Sequence, residues 1–439
     1  MAPGPLPPRA AGVTVAVRRA GVARSGESGP VRVQGGPGVR VDVPRSGARD
    51  GPPAARSRYP ALMPLLRPAA PVTLDAVELR VLHLPLVSPF TTSFGTETVR
   101  EVIVVTAQTA DGRGWGEVVT QEAPLYSSEY TQGAWDVLTR YLAPALLERR
   151  TFAPEKVAGI LRPFVGHRMA KAGLELAILD AALRGEGRSF GSYLGAEKSR
   201  VASGVSVGIQ SDPAALVDTV GGYLDEGYVR IKIKIKPGRD IGDTAAVRAA
   251  FGSIPLQVDA NSAYTLQDAD TLAELDRFEL LLIEQPLQED DLVDHATLAK
   301  RLTTPVCLDE SIVSNKAAAD ALALGSAAIL NIKAGRVGGY LEAVAIHDRA
   351  LAAGVPVWCG GMLETGIGRA ANAALAALPG FTLPGDISAS ARFYDRDIVT
   401  EPAVLDDGYV RVPTGPGVGV EIDTAALERF TVRRERITR

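Results

Sequence analysis

Strand-like segments in the second half of the chain end at nearly constant intervals. Their last residues are Lys234, Asp259, Glu284, Asp309, Lys333 and Cys359, which leaves gaps of 25, 25, 25, 24 and 26 residues. A helical pattern such as Ala317–Leu324 follows each strand, and this alternation predicts right-handed βα units. An open doubly wound sheet is the alternative, but no GxGxxG sequence follows a first strand. We therefore predict an α/β fold, a TIM-like (β/α)7β barrel.

A second domain precedes the barrel. Alternating apolar and polar residues predict a three-stranded antiparallel meander at Ala76–Leu86, Glu101–Gln108 and Gly112–Val119. Helical spacing follows at Tyr130–Leu147, Pro154–Leu161 and Met169–Arg184. We predict an α+β capping domain at 73–200, the barrel at 201–395, and a C-terminal segment, 396–439, that returns to the capping domain.

Residues 1–72 form an extension of different composition. The first 62 residues contain ten Arg, no Lys and three acids, and they are rich in Gly, Pro and Ala. Such a sequence buries too little apolar surface to offset the entropy of ordering, so we predict that it is disordered. Its many Gly and Pro also oppose the amphipathic helix of a transit peptide. We favour a start-site artefact, with Met63 or a nearby codon as the true start.

Composition and charge exclude several classes of protein. The 439 residues are 46% hydrophobic, enough for a large barrel and a smaller domain. No apolar run reaches the roughly 18 residues that a membrane span requires. The net charge of −4 argues against nucleic acid or an anionic membrane as a partner. Cys307 and Cys359 lack metal or redox spacing, which favours a reducing, cytoplasmic location.

The strand Arg230–Lys236 alternates strictly between basic residues and isoleucine. Because side chains two residues apart share one face of a strand, the lysines point one way and the isoleucines the other. Isoleucine suits the face against the helices, so Lys232 and Lys234 would point into the barrel. Buried ammonium groups need anionic partners. An edge strand with solvated lysines is the alternative, and the neighbouring units argue against it.

The next three units supply those anions. Asp259, Glu284 and Asp309 each end an otherwise apolar strand, at the edge where barrel active sites are built. One such acid alone is more often a helix cap or a salt bridge, but three in register point to a common site. Three converging carboxylates cannot all ionise without a cation. Oxygen ligands of this kind favour Mg²⁺, for which Mn²⁺ could substitute.

Lys333 ends the following strand. Lys234 and Lys333 would therefore flank the acids from opposite sides of the barrel mouth, an arrangement that suits proton transfer at opposite faces of a carbanion. A lysine base needs a lowered pKa near neutral pH, and Lys232 and the metal would lower the pKa of Lys234. The metal would also stabilise the enediolate formed when a proton leaves the carbon next to a carboxylate.

With these residues in place, the chain resembles the o-succinylbenzoate synthase / N-acylamino acid (N-succinylamino acid) racemase branch of the enolase superfamily. The resemblance extends from about Thr73 to Phe430. Its motifs are GVSVGI at 204–209, EGYVRIKIKIKPG at 226–238, VDAN at 258–261, LIEQPL at 282–287, LDES at 308–311, NIKAGRVGGYLEA at 331–343 and CGGMLETGIGRAAN at 359–372.

The resemblance implies roles for individual residues. Lys234 and Lys333 would be the acid/base pair, and Lys232 would complete the KxK motif. The implied Mg²⁺ ligands are Asp259, Glu284 and Asp309. The implied substrate-binding and supporting residues are Ser206, Asn261, Gly361, Met362, Leu363, Glu310 and Arg336. Loops 89–95 and 123–129 of the capping domain would close over a small carboxylate substrate, and the branch favours a homo-oligomer.

Two reactions fit the same residues. The leading hypothesis is syn dehydration of 2-succinyl-6-hydroxy-2,4-cyclohexadiene-1-carboxylate to 2-succinylbenzoate, a step of menaquinone biosynthesis. The runner-up is racemisation of N-succinyl- or N-acylamino acids, because Arg336 matches the subgroup in which that activity occurs. A catalytically inactive barrel that acts as a binding protein is a third hypothesis. Thr91, Gln121 and Glu122 depart from the family pattern in the specificity loops, so substrate preference stays open.

Overall fold

The structure is a computed structural model that describes residues 67–439 and two short strands earlier in the chain. These strands, β1 (Arg32–Gln34) and β2 (Arg40–Asp42), pair antiparallel. The other residues of 1–66 lie outside the described part, and so does most of the predicted disordered extension with the alternative start at Met63.

An antiparallel sheet is the base of the capping domain. Its meander consists of β3 (Val72–Thr91), β4 (Thr96–Thr109) and β5 (Gly112–Val118). Strand β3 extends beyond the end predicted at Leu86, because its pairing with β4 resumes at Phe90 after an irregularity that follows Pro85. This second stretch of pairing forms a hairpin, and its loop, 89–95, projects towards the barrel.

Helices cover one face of this sheet. In chain order the elements are α1 (Thr131–Val137), α2 (Ala143–Arg149), β6 (Thr151–Phe152), α3 (Val157–Leu161), α4 (Arg168–Gly185) and α5 (Phe190–Leu194). A π-helical turn at Leu138–Leu142 joins α1 to α2. Helix α4 lies so close to β5 that a Cβ on Gly116 would stand 2.1 Å from the Gly173 carbonyl oxygen. Glycine at that position permits the close contact.

Seven parallel strands form the barrel wall and follow one another in sequence order. After β7 (Arg200–Ala202) come β8 (Gly204–Val207), β9 (Arg230–Lys234), β10 (Leu256–Asp259), β11 (Ile283–Glu284), β12 (Val306–Leu308), β13 (Ile329–Ile332) and β14 (Val357–Cys359). The surrounding helices are α6 (Pro213–Asp225), α7 (Ile241–Phe251), α8 (Ala269–Ala273), α9 (Leu292–Leu298), α10 (Asn315–Leu324), α11 (Ala334–Val337), α12 (Tyr340–Ala352) and α13 (Gly366–Ala376).

The segment 381–386 closes the barrel in the eighth position. The Asp386 N–H donates to the Cys359 carbonyl at 2.9 Å on one side. On the other side the Gly204 N–H donates to the Gly385 carbonyl at 2.7 Å. The segment therefore bridges β14 to β8 without forming a regular strand, and the predicted (β/α)7β barrel is confirmed.

The end of the chain runs back across the molecule. Strand β15 (Tyr409–Arg411) pairs with β7, and α14 (Thr424–Phe430) leads into β16 (Thr431–Thr438). Strand β16 lies antiparallel to β3 and forms the edge of the capping-domain sheet. Among residues 67–439, no helix combines the length and the apolar character needed to cross a bilayer.

Candidate active site

Strand β9 carries its basic side chains into the barrel. Arg230, Lys232 and Lys234 are buried, with only 1%, 2% and 8% of their surface exposed. Ile231 and Ile233 alternate with them and belong to the core cluster that includes apolar residues of α6 and α7. The alternation of the sequence thus separates a charged interior from an apolar outer wall.

Lys234 stands beside the end of β10. Its Nζ donates to Asp259 Oδ2 at 2.6 Å and to Asn261 Oδ1 at 2.7 Å. The Asn261 amide in turn donates to Glu310 Oε1 at 2.8 Å, which fixes the orientation of the carboxamide. Asn261 has a φ of 44°, in the left-handed region that Asn adopts more readily than most non-glycine residues. All of these partners come from the barrel.

Lys333 follows β13, four positions from β9 in the eight-membered ring and therefore opposite Lys234. Its Nζ donates to Asp309 Oδ2 at 2.8 Å and to Tyr126 Oη at 2.9 Å. The ammonium also lies 4.8 Å from the centroid of the Tyr126 ring, a cation–π distance. Because Tyr126 belongs to the capping domain, this lysine is held from both domains.

The charges around Lys333 favour its protonated form. Burial lowers the pKa of Lys333, but Asp309, Tyr126 and Glu310 together outweigh it, so the pKa lies well above its ordinary value. Burial raises the pKa of Asp309, and Arg336 and Lys333 reverse this effect, so that pKa is lowered. Arg336 Nη2 lies 2.7 Å from Asp309 Oδ1. In this arrangement the carboxylate partner stabilises the charge on Lys333.

Lys232 lies deeper in the barrel among three carboxylates. Its Nζ is 2.6 Å from Asp386 Oδ2, 3.0 Å from Glu284 Oε2 and 3.2 Å from Asp259 Oδ2. Burial lowers the pKa of Lys232. The negative charges of Asp386 and Glu284 act in the opposite direction, and the net shift is upwards. The lysine is a fixed positive charge at neutral pH.

The three predicted metal ligands lie on adjacent strands, and each is no more than 1% exposed. Within residues 67–439, no group of three or more His, Cys, Asp or Glu side chains is arranged to hold a metal ion. Asp259, Glu284 and Asp309 each form an ion pair with a lysine.

The chemistry of these ligands nevertheless suits a divalent cation. Burial raises the pKa of Glu284 well above its usual range, and the charges of Asp259 and Asp309 add to the effect. Three carboxylates this close to one another disfavour ionisation of Glu284, and a hard divalent cation would stabilise all three charges together. Asp259, Glu284 and Asp309 are the residues that would hold it.

The predicted substrate-binding residues lie around the same mouth. Ser206 Oγ is buried and has no hydrogen-bond partner among the described residues. A Cβ on Gly361 would stand 2.7 Å from the Asp386 carbonyl oxygen, so only glycine fits there. Met362 is buried, and Leu363 lines a cavity of about 300 Å³ between the two capping-domain loops. Of these residues, Leu363 is the one that lines this cavity.

Three residues contact the site that the sequence did not single out. Asn331 donates to Glu284 Oε1 at 2.7 Å, and its position two residues before Lys333, on the same face of β13, was a usable signal. Tyr126 lies in a loop without periodicity, so only its position in loop 123–129 hinted at a role. Asp386 stands on the closing segment, which has no strand pattern.

Two family models match the chain. Residues 76–195 match the N-terminal domain of the mandelate racemase / muconate lactonizing enzyme family, and residues 215–426 match the enolase C-terminal domain-like family. The family matches agree with the fold and with the ring of lysines and carboxylates. The protein therefore belongs to the enolase superfamily.

Individual relatives show which branch of the superfamily this chain resembles. The N-succinylamino acid racemase of an Amycolatopsis species is 59% identical over 362 residues, which cover 82% of this chain and 98% of that protein. The o-succinylbenzoate synthase of Geobacillus stearothermophilus is 47% identical over 361 residues, or 82% and 96% of the two chains. A solved enolase-superfamily structure from Listeria innocua superposes with a TM-score of 0.80 at 40% identity and covers 84% of this chain and 99% of that one.

Proposed function

We propose that the protein is an o-succinylbenzoate synthase. The observation that carries the proposal is the pair of buried lysines, Lys234 and Lys333, on opposite sides of three carboxylates at the barrel mouth. The substrate would be 2-succinyl-6-hydroxy-2,4-cyclohexadiene-1-carboxylate. Loss of its C1 proton and of the hydroxyl group at C6 yields 2-succinylbenzoate and water.

Each residue of the site has a separate role in this elimination. Lys234 takes the proton from the carbon next to the carboxylate and leaves an enediolate. The cations of Lys232 and Lys333 stabilise the negative charge that develops. Because the elimination is syn, the proton on Lys234 lies on the same face as the departing hydroxide and leaves with it as water, which restores Lys234. Mg²⁺ on Asp259, Glu284 and Asp309 would lower the energy of the enediolate by neutralising its charge.

A second candidate function is racemisation of N-succinylamino acids. It is favoured by the 59% identity to a protein of that name and by the second lysine. Racemisation requires one group to remove the α-proton and another to return a proton to the opposite face. Lys333 stands opposite Lys234, and Asp309 favours its charged form, which suits the second task. For the other enantiomer the two lysines exchange these tasks. One site can support both reactions, because both begin with loss of a proton next to a carboxylate.

Further features of the proposal follow from the sequence. Mg²⁺ is the proposed metal, with Mn²⁺ as a substitute, and the substrate is a small carboxylate. We propose a cytoplasmic location, since the two cysteines are free and buried. We also propose a homo-oligomer, which the family branch favours. An inactive binding protein is the opposing hypothesis; all of the predicted lysines and acids are present, which argues against it.

The test is to assay the purified full chain with both substrates, with and without Mg²⁺. We expect dehydration of the cyclohexadiene substrate, loss of activity in EDTA and recovery when Mg²⁺ is added. Racemisation without dehydration would refute the synthase assignment in favour of the second candidate. Full activity in EDTA would refute the metal assignment, and inactivity with both substrates would favour the binding-protein hypothesis.

A further inference from the structure

We propose that Asp386 is a positioning residue that holds Lys232 in place for the reaction. The inference rests on the proposed function, because Lys232 is one of the cations assigned to the developing charge. Of the three carboxylates around Lys232 Nζ, Asp386 is the nearest, at 2.6 Å. It is also the one that is not a predicted metal ligand, so its carboxylate stays available to the lysine throughout the reaction.

Asp386 is itself fixed from several directions. Its backbone N–H donates to the Cys359 carbonyl at 2.9 Å. Its Oδ1 lies 2.8 Å from Nη1 of Arg230, a guanidinium with no exposed side-chain surface. Arg230 Nη2 also donates to the Pro384 carbonyl at 2.9 Å, which ties the arginine to the closing segment. A carboxylate held in this way presents its second oxygen to Lys232 in one defined position.

An aromatic ring supports the same lysine. The Lys232 ammonium lies 4.8 Å from the centroid of the Trp358 ring, and the Arg230 guanidinium lies 5.2 Å from it. Trp358 Nε1 donates to Cys307 Sγ at 3.3 Å, which fixes the plane of the ring. Lys232 is therefore confined between Asp386 and Trp358, and it cannot shift without breaking a buried ion pair or leaving the ring face.

The first test is a double-mutant cycle on the Mg²⁺-loaded full-length enzyme. Misplacement of a catalytic group by about 1 Å can cost on the order of 10²-fold, so we expect Asp386→Asn to lower kcat by about that factor with KM nearly unchanged. Lys232→Ala should cost at least as much. Adding Asp386→Asn to Lys232→Ala should then lower kcat no further. A second full loss in the double variant, or wild-type kcat in Asp386→Asn, would overturn the proposal.

A second readout needs neither substrate nor metal. The contribution of Trp358 to the near-UV circular dichroism spectrum is obtained by subtracting the spectrum of Trp358→Phe from that of the wild type. We expect Lys232→Ala and Asp386→Asn to change this band in the same way, and an unchanged band in Asp386→Asn contradicts the positioning role. This result stands even if neither substrate reacts with the wild type, which would be a failure of the proposed function instead. If Asp386→Asn does not fold, Asp386→Glu keeps the charge but displaces it, and wild-type kcat in that variant would count against the proposal.

Discussion

The two sides of the barrel mouth are built differently. Lys234 is held by Asp259 and Asn261, which belong to the barrel. Lys333 is held by Asp309 of the barrel and by Tyr126 of the capping domain. The contacts of Lys234 can therefore form from the barrel alone, whereas those of Lys333 are complete only when the capping domain is docked. If the two lysines are the acid/base pair that we propose, the capping domain contributes to proton transfer on one face of the substrate.

Buried carboxyl groups of the capping domain contact the N-termini of barrel helices. These contacts dock the capping domain on the barrel. Glu117 on β5 accepts from Thr365 Oγ1 at 2.7 Å and from the Gly368 N–H at 3.0 Å, at the start of α13. Glu175 on α4 accepts from the Leu341 N–H at 3.1 Å, at the start of α12. Each carboxyl group thereby accepts hydrogen bonds from N–H groups that have no partner within the helix. These contacts hold the capping domain where Tyr126 reaches Lys333.

The largest expected effect comes from removing either lysine. We expect Lys234→Ala and Lys333→Ala each to lower the kcat of racemisation by about 10²–10⁴-fold, because each supplies proton transfer at one face. Dehydration removes a proton from one face only, so Lys234→Ala should cost more than Lys333→Ala. Steady-state kinetics on both substrates provide the measurement, with circular dichroism as the check on folding. Equal losses in dehydration would remove the functional difference between the two sides.

The sequence predicted the barrel half of this comparison better than the capping-domain half. Lys234, Asp259, Glu284, Asp309 and Lys333 end strands of a regular repeat, and the geometry of a parallel barrel brings such ends together. No comparable rule places a residue of an irregular loop in three dimensions, so the contact of Tyr126 with Lys333 could not be read from the sequence. The salt bridge of Asp386 was missed for the same reason.

A smaller effect is expected at the docking contact. Burial, together with the charge of Glu364, raises the pKa of Glu117 from 4.5 to about 7. The folded state therefore binds more protons than the unfolded state between these values, so the stabilisation is full below about pH 4.5 and is lost as the pH rises to about 7. In Glu117→Gln this fall in the free energy of unfolding should shrink by an amount of the order of 3 kcal/mol.

Guanidinium unfolding at pH 5 and pH 8 measures this change. Glu428→Gln is the matched control, because that carboxylate is exposed on α14 and pairs with Arg80. An unaltered pH dependence in Glu117→Gln would show that the carboxylate does not titrate in this range.

The smallest expected effect separates the two sides most cleanly. Tyr126→Phe removes one hydrogen bond from Lys333 but keeps the ring, so we expect racemisation to slow by about tenfold. Asn261→Ala removes the corresponding hydrogen bond from Lys234 and serves as the matched variant. Tyr126→Phe should leave dehydration within about twofold of the wild type, whereas Asn261→Ala should slow both reactions by about tenfold. The same response from both variants would mean that the capping domain does not act through Lys333 alone.

Exchange of the α-proton with deuterium tests the central claim, that Lys234 and Lys333 work on opposite faces of one carbon. Each enantiomer of an N-succinylamino acid is incubated in D₂O with Mg²⁺ and either Lys234→Ala or Lys333→Ala, and exchange is followed by ¹H NMR. We expect each variant to exchange one enantiomer, and the two variants to exchange opposite ones. Exchange of both enantiomers by one variant, or of the same enantiomer by both, would contradict the account.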